Sequence, residues 1–329
     1  MSSVDAAAEA PRRPFTGRRV RFGDLVLQLV AGAAALATTV LVGLIIWKVI
    51  DGARLSLSKY GLGFVTRIAW NPVPGHELYG AASFLFGTAV TSFSALLLAT
   101  PLAIGIALFL TELAPRPLQA PVTALVETLA AIPSVVIGLW GILVLGPALR
   151  DHVEPTLHSV LGFIPLFGPK GAGPSVFTAI VVLTIMILPI VASISRELFL
   201  GVPHELKEGA LALGTTRWEM VRGVMFPYAR GGIAAALILG FGRAIGEAIA
   251  VTQVIGGGVF IHWNLFGTGD TLGAKIAASY QGASTNLQAS SLIYLGLILL
   301  VFSLIVNLAA QWVVRRSARK HGIVRGGRA

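Results

Sequence analysis

The chain has 329 residues, 55% of them hydrophobic and only 12% charged, with a mean hydropathy of +0.81 and a formal charge of +10. Soluble domains carry about 25% charged residues, so this composition excludes an ordinary soluble protein and points to one that crosses a membrane several times. The absence of cysteine excludes disulfides and thiolate metal sites.

Residues 1–23 are rich in Ala, Pro and Arg and are expected to form a flexible tail. The first apolar segment runs from Asp24 to Trp47, well beyond the ~7–15-residue core of a cleaved signal, so it reads as a retained span. Lys48 at its outer end is expected to snorkel to the membrane surface. Five more apolar segments follow, at 83–111, 121–149, 174–195, 231–256 and 289–314. Each has the ~20 residues that cross a hydrocarbon core of about 30 Å. The expectation is an all-α, polytopic protein. Six transmembrane helices fill residues 24–314, between basic tails at 1–23 and 315–329. Pro101, Pro133 and Pro189 are expected to kink spans or fix their packing. The connections 51–80, 150–173 and 257–288 are rich in Gly and Pro and read as short lids or interfacial pieces without a domain of their own.

Basic residues choose the orientation. Arg12, Arg13, Arg18, Arg19 and Arg21 crowd the N-terminal tail, and Arg315, Arg316, Arg319, Lys320, Arg325 and Arg328 the C-terminal one. The connection between spans four and five adds Arg196, Lys207, Arg217, Arg222 and Arg230, and that between two and three adds Arg116. The opposite face holds Arg54, Lys59, Arg67, Arg150, Lys170 and Lys275. This asymmetry predicts both termini in the cytoplasm, and it accounts for the net charge without nucleic-acid binding.

The connection at about 196–230 is more than a loop. Pro203 suits a first helical position. Leu206, Ala210 and Leu213 then form a narrow apolar stripe at helical spacing. Gly214 can take the positive φ of a helix terminator, and Thr216 with Glu219 offers a capping box for a second helix. Pro227 marks re-entry to the membrane. A helix, a tight glycine turn and a helix are therefore predicted on the cytoplasmic face. The membrane surface, the protein's own spans or a partner could each receive the apolar faces.

Glu208-Gly209-Ala210, Gly214, then Val224, Phe226 and Pro227 resemble the cytoplasmic signature of ABC-importer permeases. Gly209 stands where that pattern has a second Ala, and Phe226 where it has Leu. The stretches GTAVTSFSALLLATPLAIGIALFLTELAP (87–115), ETLAAIPSVVIGLWG (127–141), GRAIGEAIAVTQVIGGG (242–258) and GDTLGAKIA (269–277) together resemble the permease subunits of phosphate-specific importers, and one of their two types more than the other. The likeness spans residues 80–315. It implies a type I ABC-importer permease architecture, with Glu208, Gly209, Ala210 and Gly214 on a coupling helix that docks on an ATPase. It also implies the partners: a second, similar permease, two ATPase copies and an external phosphate-binding protein.

Within the fifth span, Arg243 and Glu247 stand four residues apart, and one helix would put them on one face. Counted from Gly231, Arg243 lies roughly 18 Å in, near mid-bilayer. A central charge there costs about 2.5–3.5 kcal/mol on insertion scales and marks a pathway or a structural pair. Gly242 and Gly246 form a small-xxx-small step that would let a neighbouring helix approach. A guanidinium presents a fork of donors matched to phosphate oxygens, and the resemblance implies that both residues serve anion passage. Glu127, read as six residues into the third span, is a further pathway candidate, with a place in the cytoplasmic interface as the plainer alternative.

No phosphate-cradling P-loop, nucleophile elbow or zinc-protease motif occurs. His152, Glu154 and His158 fall together in a stretch read as a solvated external loop, and no metal site or cofactor is expected. No catalytic residues are expected either, so ATP hydrolysis belongs to another chain. The rival readings are an ABC permease for another oxyanion or small polar solute, a channel or secondary transporter that needs no ATPase, and a membrane sensor.

Overall fold

A computed structural model describes residues 22–169, 171 and 173–320. The arginines read from the N-terminal tail, Lys170, Arg325 and Arg328 lie outside these residues. Among the described residues six helices are long and apolar enough to cross a membrane: Gly23–Tyr60, Ala82–Leu113, Ser134–Leu161, Val176–Leu200, Arg217–Gly246 and Asn286–Arg316. The chain divides into two compact units, residues 1–48 and 49–329.

The first unit contributes the start of α1 (Phe22–Tyr60). Thr38 and Thr39 turn their hydroxyls back onto the carbonyls of Ala34 and Ala35, which satisfies them inside the helix. Lys48 lies over the Trp47 ring at 5.0 Å.

The second unit begins with the end of α1, which runs past Trp47 as far as Tyr60. Then follow α2 (Gly63–Thr66) and a small antiparallel hairpin of β1 (Trp70–Asn71) and β2 (Leu78–Tyr79). Next come α3 (Ala82–Leu108), closed by a π-helical turn at Phe109–Leu113, and α4 (Arg116–Ala131). The third span is built from α5 (Ser134–Trp140), α6 (Gly146–Ala148) and α7 (Glu154–Leu161), joined through π turns at Gly141–Leu145 and Leu149–Val153. α8 (Val176–Leu200) leads to the short pair α9 (His204–Ala212) and α10 (Arg217–Met220). A further π turn at Val221–Met225 feeds α11 (Phe226–Gly246). α12 (Ile249–Val254), α13 (Leu272–Ser279) and α14 (Asn286–Lys320) complete the unit. α14 therefore carries the helix through the first residues assigned to the C-terminal tail.

The centre is a layer of α3, α8 and α11. α8 is the most enclosed span, with its N-terminus capped by Ser175, whose Oγ accepts from Thr178 N at 3.1 Å. Small residues set the spacing. Ala95, Ala99, Ala103 and Ala107 on α3 are fully buried, as are Ala229, Ala236 and Gly240 on α11. A Cβ at Gly240 would lie 2.9 Å from Val191 Cγ2, so the two backbones approach as closely as lipid-phase helix packing favours.

Two boundaries differ from the sequence reading. The segment 121–149 is two elements. Ile132 and Pro133 are extended (ψ 128 and 138), which ends α4 before the membrane-crossing helix begins at Ser134. The extended residue before a proline is the local cause. The third span consequently runs on to Leu161, and His152, Glu154 and His158 are helical rather than in a loop. Glu154 is buried and accepts from Gly171 N and Ser175 Oγ, while His158 Nδ1 meets the Phe167 carbonyl. The segment 231–256 is also two elements, with consequences for Arg243.

Candidate functional site: a helix break beside Arg243 and a capped helix pair

α11 ends at Gly246, and Glu247 is extended (φ −71, ψ 123) before α12 begins. Arg243 and Glu247 thus do not share one helix face, and among the described residues no ion pair joins them. Arg243 sits in the last turn of α11, where the unsatisfied carbonyls favour a cation. Glu247 Oε1 accepts from Ala250 N at 3.2 Å, at the start of α12. Each charge serves a different helix end, a division that four-residue spacing alone does not disclose.

Other elements hold the break. A Cβ on Gly273 of α13 would lie 3.2 Å from the Glu247 carbonyl, and one on Gly138 of α5 would lie 2.8 Å from Ala250 Cα. Thr252 Oγ1 donates to the Ala248 carbonyl at 2.7 Å. Gly240 packs against Ile187 and Val191 in the middle of α8. Arg243 is three residues further along, about 4.5 Å at 1.5 Å per residue. The interruption therefore falls close to the level of the bundle's centre. Irregular backbone at that depth persists only when buried in protein or lining a wet cavity.

Arg243 is exposed on the surface of the chain, and Glu247 is half-buried. Phe93 and Leu97 of α3, 62% and 65% exposed, flank the same region, and Phe93 meets the Phe241 ring edge-on at 6.5 Å. Gly242 and Gly246 have nothing within 4 Å of a would-be Cβ, so no helix of this chain uses the step they form. The close approach runs along Gly232, Ala236 and Gly240 instead.

Glu127 is exposed on α4, not inside the third span. It borders a small cavity with Ser193 and Arg196, toward the far end of α8. The structure does not gather Glu127 with Arg243 and Glu247.

The connection 196–230 folds into the expected helix pair. Pro203 is the residue before the first turn of α9, one position earlier than expected. Gly214 takes φ +83, a conformation that costs an L side chain about 1–2 kcal/mol. Thr216 and Glu219 form the complete capping box, with Thr216 N donating to Glu219 Oε2 at 2.8 Å. Glu208 and Gly209 are exposed, and a Cβ at Gly209 would meet nothing within 4 Å. The departure from Ala at this position therefore answers no packing constraint within this chain. Phe226 packs edge-on against Phe199 at 5.6 Å, so the larger ring is accommodated.

Leu206, Leu213 and Trp218 are 48%, 87% and 63% exposed, while Ala210 leans on the cluster around Phe199 and Met225. The protein's own spans therefore receive Ala210 of the apolar stripe and leave its leucines exposed. Sequence reading missed what does anchor α9. Lys207 Nζ donates to Glu112 Oε1 at 2.7 Å and to the Phe199 carbonyl at 3.3 Å.

Six membrane-crossing helices and a capped helix pair between the fourth and fifth of them define the class as a polytopic helical membrane protein. A family model for inner-membrane components of binding-protein-dependent transport systems matches residues 99–319, and the chain belongs to this family. The phosphate transport system permease protein PstC of Mesorhizobium japonicum is 41% identical over 98% of this chain and 100% of its own length. PstC of Xylella fastidiosa is 41% identical over 82% of this chain and 84% of its own length. In a bacterial alginate ABC transporter solved with its periplasmic protein, one chain shares the fold. Its TM-score is 0.61 at 19% identity, over 89% of this chain and 96% of that one. The type I importer architecture follows, with ATP hydrolysis on a separate subunit and a multi-pass place in the inner membrane.

Proposed function

We propose that phosphate crosses the membrane along the face of this chain that carries Arg243, between it and a second, similar permease subunit. The chain is the permease subunit of an ATP-driven phosphate importer. Phosphate is the substrate because a relative named for phosphate transport is 41% identical over 98% of this chain.

One observation supports the route: an exposed arginine ends a helix that breaks near mid-membrane. An exposed guanidinium at that level is too costly to leave in lipid tails, so protein or water must cover it in the assembled transporter. Discontinuous helices are a recurring way to line an ion site. There Arg243 would offer paired donors to an oxyanion. Glu247, tied to α12, would fix the local backbone and compete with the anion for the guanidinium. Glu127 would face the inner part of the route from α4.

On the cytoplasmic side α9 and α10, with Glu208, Gly209, Ala210 and Gly214, dock on an ATPase subunit, two copies of which serve the complex. A phosphate-binding protein delivers the anion from outside, and both termini lie in the cytoplasm. ATP-driven closure of the ATPase pair displaces α9 and α10 and moves the spans between inward- and outward-open states.

The test is purification with the native partners and reconstitution in proteoliposomes. ATP hydrolysis should rise with phosphate-loaded binding protein and should not rise with sulfate or molybdate. Equal stimulation by another anion would reassign the substrate. Phosphate flux from the purified chain alone would replace the importer with a channel.

A further inference from the structure

We propose that the Lys207–Glu112 ion pair is a mechanical joint, binding the cytoplasmic helix pair and the inner ends of α3 and α8 into one moving body. The proposal rests on reading α9 and α10 as the ATPase-docking element.

α9 buries a single side chain, and that side chain is a charge. Its leucines, Leu206 and Leu211, stay 48% and 42% exposed, and Ala210 is the residue of this helix that packs on the buried cluster around Phe199. Lys207 supplies the remaining attachment, and it reaches two helices at once. Its ammonium pairs with Glu112, in the π turn that closes α3, and donates to the carbonyl of Phe199, in the last turn of α8. That carbonyl also accepts from Val202 N at 3.3 Å, so Lys207 brings it a second donor and ties itself to the end of α8. α10 adds a third strut, because Arg217 Nη1 donates to the backbone carbonyl of the same Glu112. One residue of α3's terminal turn thus receives both cytoplasmic helices.

The π turn is part of the device. Glu112 lies inside this wider turn, which ends α3 and carries the carboxylate that meets Lys207. The side chains are only 11% and 18% exposed. A charge pair so far out of water is weak evidence for stability, since an apolar pair of similar size would serve as well. The surroundings, with Ala107, Phe199 and Met220, would accept such a pair. What an ion pair adds is direction: the ammonium has one carboxylate to meet and one carbonyl to cap.

Push and pull from a bound ATPase would otherwise tilt α9 on its Ala210 contact. With the joint closed, the displacement reaches α3 and α8, the helices against which α11 packs.

The experiment uses the full complex in proteoliposomes. Lys207→Met and Glu112→Gln should still carry ATPase but move about fivefold or more less phosphate per ATP, the scale of a typical coupling energy. Lys207→Arg, which keeps the charge and the donors, should retain most of the native stoichiometry. Native stoichiometry in Lys207→Met would overturn the proposal. The chain has no cysteine, so spin labels at His204→Cys and Leu113→Cys give a second readout that does not need transport. Their distance should stay fixed between nucleotide-free and ATP-bound complexes, and should vary once Glu112→Gln is added. A nucleotide-dependent distance with the pair intact would overturn the joint, whichever anion the complex carries.

Discussion

The α9–α10 helix pair and the helix break at Glu247 dispose of their charges in opposite ways. Lys207 and Glu112 are 95 residues apart and meet at 2.7 Å, while the neighbouring leucines stay outside. Arg243 and Glu247 are four residues apart, and no ion pair joins them. Charges that pair within the chain lend rigidity to its own frame. A charge left open at bilayer depth requires something the chain does not contain, either another subunit, water or a travelling anion. On the proposed function the two regions would divide the work, one receiving force and the other meeting substrate.

The sharpest way to break that division is at the apolar tips. Leu213→Asp should leave the fold intact, since the side chain touches little of this chain. It should weaken ATPase binding by about tenfold to a hundredfold, the worth of one buried leucine, as measured by co-purification or titration of the ATPase. Unchanged binding would make the exposed stripe an adventitious feature. Next in size, Gly214→Val places a β-branched residue at φ +83. About 1–2 kcal/mol of strain should loosen the turn and lower coupled ATP hydrolysis several-fold, with the six spans still inserted.

These tests bear on the part of the molecule that was most legible from sequence. Gly214 and the Thr216–Glu219 box carry their geometry locally, so the helix pair could be read before the fold was known. Six spans were legible too, because lipid demands long apolar helices. Their ends were less so. Pro133 already hinted at an extended Ile132, but the hydropathy of 121–149 runs straight through it. The break at Glu247 carries no proline and no turn sequence. It is set by Gly273 and Gly138 pressing from α13 and α5, which only the tertiary structure reveals. The Lys207–Glu112 joint is invisible for the same reason.

Smaller effects sharpen the comparison in the connection between α12 and α13. Asp270 is 8% exposed, and burial pushes its carboxyl up to about 6, against opposing contributions from Lys275 and the Thr271 backbone. A carboxyl held above its unfolded value of 3.8 favours folding below that value, and the benefit is lost as pH rises through about 6. Thermal stability of the purified chain should therefore fall between pH 4 and pH 6.5, by no more than roughly 3 kcal/mol. Asp270→Asn should flatten the profile, and an unaltered slope would place the titrating group elsewhere. Thr216→Ala removes one cap and should cost about 1 kcal/mol, seen as a small loss of helix-pair protection in hydrogen exchange.

The open charge itself is tested by Arg243→Gln, reconstituted with its partners and followed by phosphate uptake. The expected result is a complex that assembles and binds ATPase normally yet imports phosphate at less than about a tenth of the native rate, since a charge-assisted contact is worth more than 1.4 kcal/mol. Native uptake from the same assembled complex would contradict the route along this face.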